Sequence, residues 1–103
     1  MDQLDDGQLT VSITENGRIA VTGALDLACA GQLYSTVERL RAEADRPVVI
    51  DLSGVTFCDS TGLSSLIWAH HQNAVLANPS RRLDRLLAIT GLDEHLPMQT
   101  IVD

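Results

Sequence analysis

The run Val48 to Leu63, VVIDLSGVTFCDSTGL, constrains the fold more than any other stretch, because within it the hydrophobic period changes from that of a strand to that of a helix. Val48, Val49, Ile50 and Leu52 form a nearly continuous apolar run, as expected of a strand covered on both faces in a parallel or mixed sheet. Asp51 and Ser53 mark its polar end, and after Gly54 a loop is expected to return Val55 and Phe57 to the core. Leu63, Leu66, Ile67 and His70 then recur at helical spacing. Ser60 therefore falls at or next to the helix N-cap, where its oxygen can accept a hydrogen bond from a free amide. The same helix end favours negative charge, so a phosphate placed there meets a favourable local field.

The flanking segments supply the rest of an α/β unit. Leu9, Val11 and Ile13 alternate with Thr10, Ser12 and Thr14, the period of a half-buried strand, and Asn16-Gly17 turns the chain into a second strand over 18–22. Gly23 is expected to break that strand and Asp26 to cap a helix whose inner face carries Leu33, Val37, Leu40 and Ala44. Pro47 ends this helix and starts the third strand. The second helix, from about Thr61 to Gln72, is followed almost at once by Ala74-Val75-Leu76-Ala77. Eleven helical residues and five strand residues each span about 16 Å, so this crossover needs a very short loop. Pro79-Ser80 opens a third helix with Leu83, Leu86, Leu87 and Ile89 inward and Gly91 as its C-terminal cap. Leu92, Leu96 and Met98 are expected to cover the sheet edge, with Ile101-Val102 as a last strand.

At 103 residues the chain has room for one domain, residues 1–103, with one modest core. Residues of hydrophobic type make up 45%, yet no apolar run approaches the roughly 20 residues of a membrane span. Met1-Asp2-Gln3-Leu4-Asp5-Asp6 is acidic where a signal peptide would be basic, which predicts a soluble, cytoplasmic protein with no membrane partner. A net charge of -7 and the lack of any lysine argue against nucleic-acid binding. Cys29 and Cys58 are too few for a disulfide scaffold or zinc site and read as core fillers. At Cys58 the helix N-terminus would favour a thiolate while Asp59 opposes it.

Four groups of residues, in order and at compatible spacing, resemble the STAS domain family and within it the bacterial anti-sigma factor antagonists: Gly23-Ala24-Leu25-Asp26, Val49 to Val55, Asp59-Ser60-Thr61-Gly62-Leu63, and Asn78-Pro79-Ser80 with Thr90-Gly91-Leu92. The resemblance covers nearly the whole chain. It implies a single STAS-like α/β domain with a small mixed sheet packed with helices, and a switch serine at Ser60. It further implies that the unphosphorylated form binds an anti-sigma factor that is also a serine kinase and so frees a sigma factor. A serine phosphatase would reset the switch. Magnesium and ATP would belong to the kinase, so no cofactor or metal is expected here. The chain departs from the family in its short link before the fourth strand and in stopping before an additional C-terminal helix.

A serine at a helix start commonly does no more than cap it, a role worth about 1 kcal/mol. The resemblance moves Ser60 to phosphoacceptor and assigns partner contacts to Asp59, Ser60, Thr61, Gly62 and Ser64. Asp59 would orient the loop or the hydroxyl, or simply add a capping carboxylate; Thr61 is the fallback acceptor; Gly62 would let a partner's backbone approach or suit a tight turn.

Enzymatic readings fare worse. Cys58-Asp59-Ser60-Thr61-Gly62 differs from the G-x-S-x-G nucleophile elbow in having cysteine at the first glycine position. His70 and His71 would lie about 15 Å along the helix from Ser60, and His95 lacks a clear orienting carboxylate. Asp51 invites comparison with a receiver phosphoacceptor, but a receiver needs a lysine that this chain lacks. No phosphate-binding glycine loop is present. Trp68 lies about 140° around the helix from Leu63, either packing under the first helix or anchoring a partner. Arg81, Arg82 and Arg85 read as a solvated face that can also steer an acidic partner. The sequence thus points to a non-enzymatic, phosphorylation-controlled binding module. The competing assignment is a STAS interaction module of another assembly, such as a stress-signalling complex or a phospholipid-transport subunit.

Overall fold

Strand and helix alternate along the chain in the order the hydrophobic periods require. The computed structural model describes residues 9–43 and 46–102. Its elements are β1 (Thr10–Ile13), β2 (Ile19–Leu25), α1 (Ala30–Glu43), β3 (Val49–Cys58), α2 (Ser60–His71), β4 (Val75–Ala77), α3 (Arg81–Thr90), a 3-10 turn (Leu92–Glu94) and β5 (Met98–Gln99). The five strands form one sheet in sequence order, with β1 antiparallel to β2 and every later pair parallel. The mixed α/β fold expected from the sequence is the one observed.

Register explains which residues make the core. Ile19 pairs with Ile50 and Ile50 with Leu76, so these side chains share one face of the sheet and are buried together with Leu33, Leu66 and Leu83 from the three helices. The opposite row begins with Thr10 and Ser12, which are exposed, and continues through half-buried Ala20 and Asp51. Truncating a core leucine such as Leu66 to alanine would cost about 2–5 kcal/mol.

Several expectations are corrected. The second strand does not stop at Gly23 but runs on to Leu25, with Gly23 at φ +105° beside a slip in register. β3 carries one extra residue opposite Ala20–Thr22 and another opposite Gly23–Ala24, two bulges that let the longer strand stay paired with the shorter. For that reason no loop follows Gly54: β3 is continuous to Cys58, and the bulges leave Phe57 half exposed rather than in the core. Ile13 and Ile89 are also exposed, while Leu9, Leu83 and Leu87 are buried as expected. Ala44, expected on the inner face of the first helix, lies outside the described residues.

The short link between α2 and β4 has a specific cause. Asn73 adopts the left-handed conformation, φ +67°, its amide donates to His70 O, and Ala74 N donates to Ala69 O at 3.0 Å. This pair of bonds is a Schellman motif with asparagine in the place usually held by glycine, and it turns the chain within two residues. Val75 N then donates to Val48 O at 2.8 Å and β4 begins.

The final strand is Met98–Gln99, not Ile101-Val102. Ile101 is held instead by a side chain, because Asn78 Nδ2 donates to Ile101 O at 2.9 Å and Ile101 N donates to Asn78 Oδ1 at 2.8 Å. One asparagine amide thus does the work of a strand neighbour. At the start of α3 Ser80 is the N-cap, accepting from Leu83 N, and Gly91 at φ +79° closes the helix.

Candidate functional site

β3 delivers its last residue, Cys58, directly to the start of α2, and the first polar groups there are arranged by Asp59. Asp59 is the N-cap: its Oδ1 accepts from Gly62 N at 2.9 Å, and its carbonyl accepts from Leu63 N at 2.9 Å. Its other oxygen, Oδ2, accepts from Leu27 N at 3.1 Å. A single carboxylate therefore fixes the helix start and ties it to the loop between β2 and α1. That loop is itself stiffened by Asp26, whose Oδ1 accepts from Cys29 N and whose carbonyl accepts from Ala30 N. The amides of Gly62, then Leu27 and Thr61, hold the Asp59 carboxyl below the usual carboxylate range, against a smaller opposing effect of burial.

Ser60 is the first residue of α2 rather than its cap, and it is exposed. Asp59 outcompetes it for the free amide, so the Ser60 hydroxyl forms no hydrogen bond among the described residues. Thr61 is half-buried, and Ser64 is exposed one turn further along. Gly62 is buried, and the close approach that demands glycine there is internal. A Cβ would overlap the Leu25 carbonyl oxygen and stand 2.8 Å from Cys58 Sγ. Gly62 therefore supports the site from beneath and leaves the outer face to Ser60, Thr61 and Ser64. Ser65, one turn in, is fully buried and donates its hydroxyl to Gly62 O at 2.6 Å.

Leu27 was not singled out by sequence reasoning. It is 76% exposed, next to Asp26 and linked by its amide to the Asp59 carboxylate, which sets a large apolar side chain on the loop beside Ser60. The only signal for it was its place directly after the Gly23–Asp26 group.

Other candidate residues lie apart from this surface or are spoken for. Burial first, and then the charge of Asp59, push the Cys58 thiol up to about 12, so it stays protonated at neutral pH. His70 and His71 occupy the last turn of α2, at the other end of the helix from Ser60. Asp51 accepts from Ser53 N at 2.9 Å and faces the Asn78 amide at 3.4 Å. Burial raises its pKa, but the bonds from Ser53 and Asn78 and the charge of Arg18 together carry it below the ordinary value. Trp68 packs on the core with its ring 4.8 Å from that of Tyr34, tilted by 57°, which joins α2 to α1. Among the described residues no group of three or more His, Cys, Asp or Glu side chains is placed to hold a metal ion, and no helix is long and apolar enough to cross a membrane.

The family model described as "Mlab, STAS domain" matches residues 9–102, nearly the whole chain. The chain belongs to the STAS domain family. Among curated relatives, the STAS protein is 30% identical over 94 residues to the anti-sigma-B factor antagonist of Listeria monocytogenes, covering 85% of this chain and 82% of the relative. It is 28% identical over 91 residues to that of Staphylococcus epidermidis, covering 82% and 84%. Among solved structures, an anti-sigma factor antagonist from Mycobacterium paratuberculosis superposes with a TM-score of 0.70 at 24% identity, over 89% of this chain and 84% of that one. The unphosphorylated form of the antagonist SpoIIAA superposes with a TM-score of 0.66 at 15% identity, over 92% and 89%. Both share the fold described above.

Proposed function

We propose that this STAS domain is an anti-sigma factor antagonist, a non-enzymatic cytoplasmic binding protein whose unphosphorylated form binds an anti-sigma factor with serine-kinase activity and so releases a sigma factor. The observation that carries the reading is the exposed Ser60 hydroxyl, free of hydrogen bonds to described residues, on the first residue of a helix that Asp59 already caps. The names of the curated relatives, each an anti-sigma-B factor antagonist, support it.

The surface offered to the partner is Ser60, Thr61 and Ser64 on α2, with Asp59 at its edge and Leu27 beside it. Neutral hydroxyls and one leucine can be covered at small desolvation cost. A phosphoserine brings about -2 charge next to the Asp59 carboxylate and would have to be stripped of water in the interface. The helix N-terminus tolerates the added anion, so the penalty falls on binding and not on the fold. A serine phosphatase restores the neutral form.

The test is affinity purification with the native protein and with Ser60→Asp, read by mass spectrometry. Recovery of an anti-sigma kinase by the native protein, at least tenfold reduced for Ser60→Asp, is expected; tenfold corresponds to about 1.4 kcal/mol. The matched family model bears a name, Mlab, other than that of the curated antagonists, which favours a second reading as an interaction module in another assembly. Recovery of stress-complex or phospholipid-transport subunits, indifferent to position 60, would select that reading.

A further inference from the structure

β4 accompanies β3 only from Val49 to Asp51, and Ser80 N donates to Leu52 O at 3.1 Å, so from Ser53 to Cys58 β3 has β2 on one side and, among the described residues, no strand on the other. α3 lies along this bare side. Between the two runs a groove of about 550 Å³, with Phe57, Leu86 and Ile89 among its apolar walls and Arg81, Arg82 and Arg85 along α3. Phe57 is 51% and Ile89 75% exposed, large apolar side chains that folding leaves in water.

The charge here runs against that of the whole molecule. In a chain of net charge -7, three of the seven basic residues gather on one helix, whose only acidic residue is Asp84. Among the described residues none of the three arginines has an ion-pair partner. They also occupy the first turns of α3, the end at which the helix dipole disfavours cations. Neither the fold nor the local field accounts for them, whereas an anionic occupant would. Arg81 and Arg85 are separated by one turn, about 6 Å along the helix axis. Alternate side chains of an extended segment repeat at about the same spacing.

We propose that this groove docks an extended acidic segment of a partner protein, its carboxylates meeting Arg81, Arg82 and Arg85 and one large apolar side chain seated against Phe57 and Ile89. The bare edge of β3 offers the segment a strand to lie along. Such an occupant uses the groove's apolar wall, its cationic side and its length together. The groove reaches Cys58, next to the Asp59 cap, but its lining includes none of Ser60, Thr61 and Ser64, so docking there does not require modification of Ser60.

The experiment measures fluorescence anisotropy of a short fluorescein-labelled peptide in which Glu and Asp flank a central Leu, against the full chain. A counterpart with Lys at every acidic position is the control. The acidic probe is expected to bind and the lysine probe not, with affinity falling as salt rises. Arg82→Glu and Arg85→Glu should each weaken binding tenfold or more and Ile89→Ser several-fold. These residues are exposed, so circular dichroism should report unchanged folding, and Ser60→Asp should bind the probe like the native protein. Failure of the acidic probe to bind, equal binding of the lysine probe, or undiminished binding by both arginine variants would overturn the proposal. Retained affinity when the central Leu of the probe becomes Gly, together with displacement by sodium decanoate, would assign the groove to a small anionic amphiphile and also overturn it.

Discussion

Replacing Gly62 by alanine adds one methyl group at the tightest point between α2 and the end of β2. The new Cβ would overlap the Leu25 carbonyl oxygen, and it would lie 2.9 Å from the Leu25 carbonyl carbon and 2.8 Å from Cys58 Sγ, where ordinary contact begins at 3.4 Å. Cys58 Sγ is a side-chain atom and can yield, but the Leu25 carbonyl belongs to a fully buried strand end. Relief therefore requires the first turn of α2 to back away, which strains the Gly62 amide bond to Asp59 and the Ser65 bond to Gly62 O. Overpacking of this kind costs about 1–3 kcal/mol, at its upper end where backbone must move. Alanine returns at most about 1 kcal/mol in helix propensity, and less in a first turn. A net loss of about 2 kcal/mol lowers the melting temperature of a domain this size by roughly 8–16 °C. Thermal melts followed by circular dichroism measure this directly, and Gly62→Ala combined with Cys58→Ala should recover only a minor part because the Leu25 contact remains. A Gly62→Ala protein that melts at or above the native temperature would refute the internal role of this glycine and return it to the partner surface.

Incubated with the anti-sigma kinase proposed above, Ser60→Ala should incorporate no phosphate while Thr61→Ala still does, as measured by radiolabel or intact mass; undiminished labelling of Ser60→Ala would move the acceptor elsewhere. Ser60→Asp should lose partner affinity tenfold or more by titration calorimetry with little change in melting temperature, whereas a melting temperature that falls along with binding would mean a folding defect. The depressed pKa of Asp59 means that its contribution to stability is present above the unfolded carboxylate value near 4 and is lost as pH falls through the folded value. Asp59→Asn should therefore flatten the acid limb of the stability curve, and identical acid limbs for the two proteins would contradict the capping role. Trp68 emission should already be blue-shifted in the free protein, and Trp68→Ala and Tyr34→Ala should show a coupling of about 0.5–1.5 kcal/mol in a double-mutant cycle; additivity would exclude the ring contact as a stabilising pair.

What could be read from the sequence was set by periodicity and by residues with one strong local preference. The strand at Val48–Leu52, the helix after Ser60, the Ser80 cap and the Gly91 stop all follow from such local rules. The misplacements arise where tertiary register decides. Phe57 reads as core by alternation, but two bulges opposite β2 change which way the end of β3 faces, and bulges leave no mark that alternation counting can detect. Ile101-Val102 reads as a strand by composition, yet Asn78 satisfies Ile101 through its side chain. Asn73 was legible in principle, since asparagine is the usual alternative to glycine in a left-handed cap. At the site, the sequence put Ser60 at or next to the N-cap and allowed Asp59 a capping carboxylate, and the structure makes Asp59 the cap and Ser60 the residue after it. Both types cap well, and only the reach of Asp59 to Leu27 across the loop separates them.

The division of labour between the Asp59 cap and Ser60 beside it sets how a switch can be built here. Both oxygens of Asp59 are engaged, the Gly62 amide is taken, and Ser65 is bonded within the helix. Every one of these groups would have to break a bond to respond to a new charge. Ser60 alone stands on the same turn with its hydroxyl uncommitted among the described residues and exposed. If Ser60 were the cap, modification would remove a bond that holds the helix, and stability and binding would change together. With Asp59 as the cap, a phosphate on Ser60 would leave the helix start intact and alter only what a partner must desolvate, which separates regulation of the interface from maintenance of the fold.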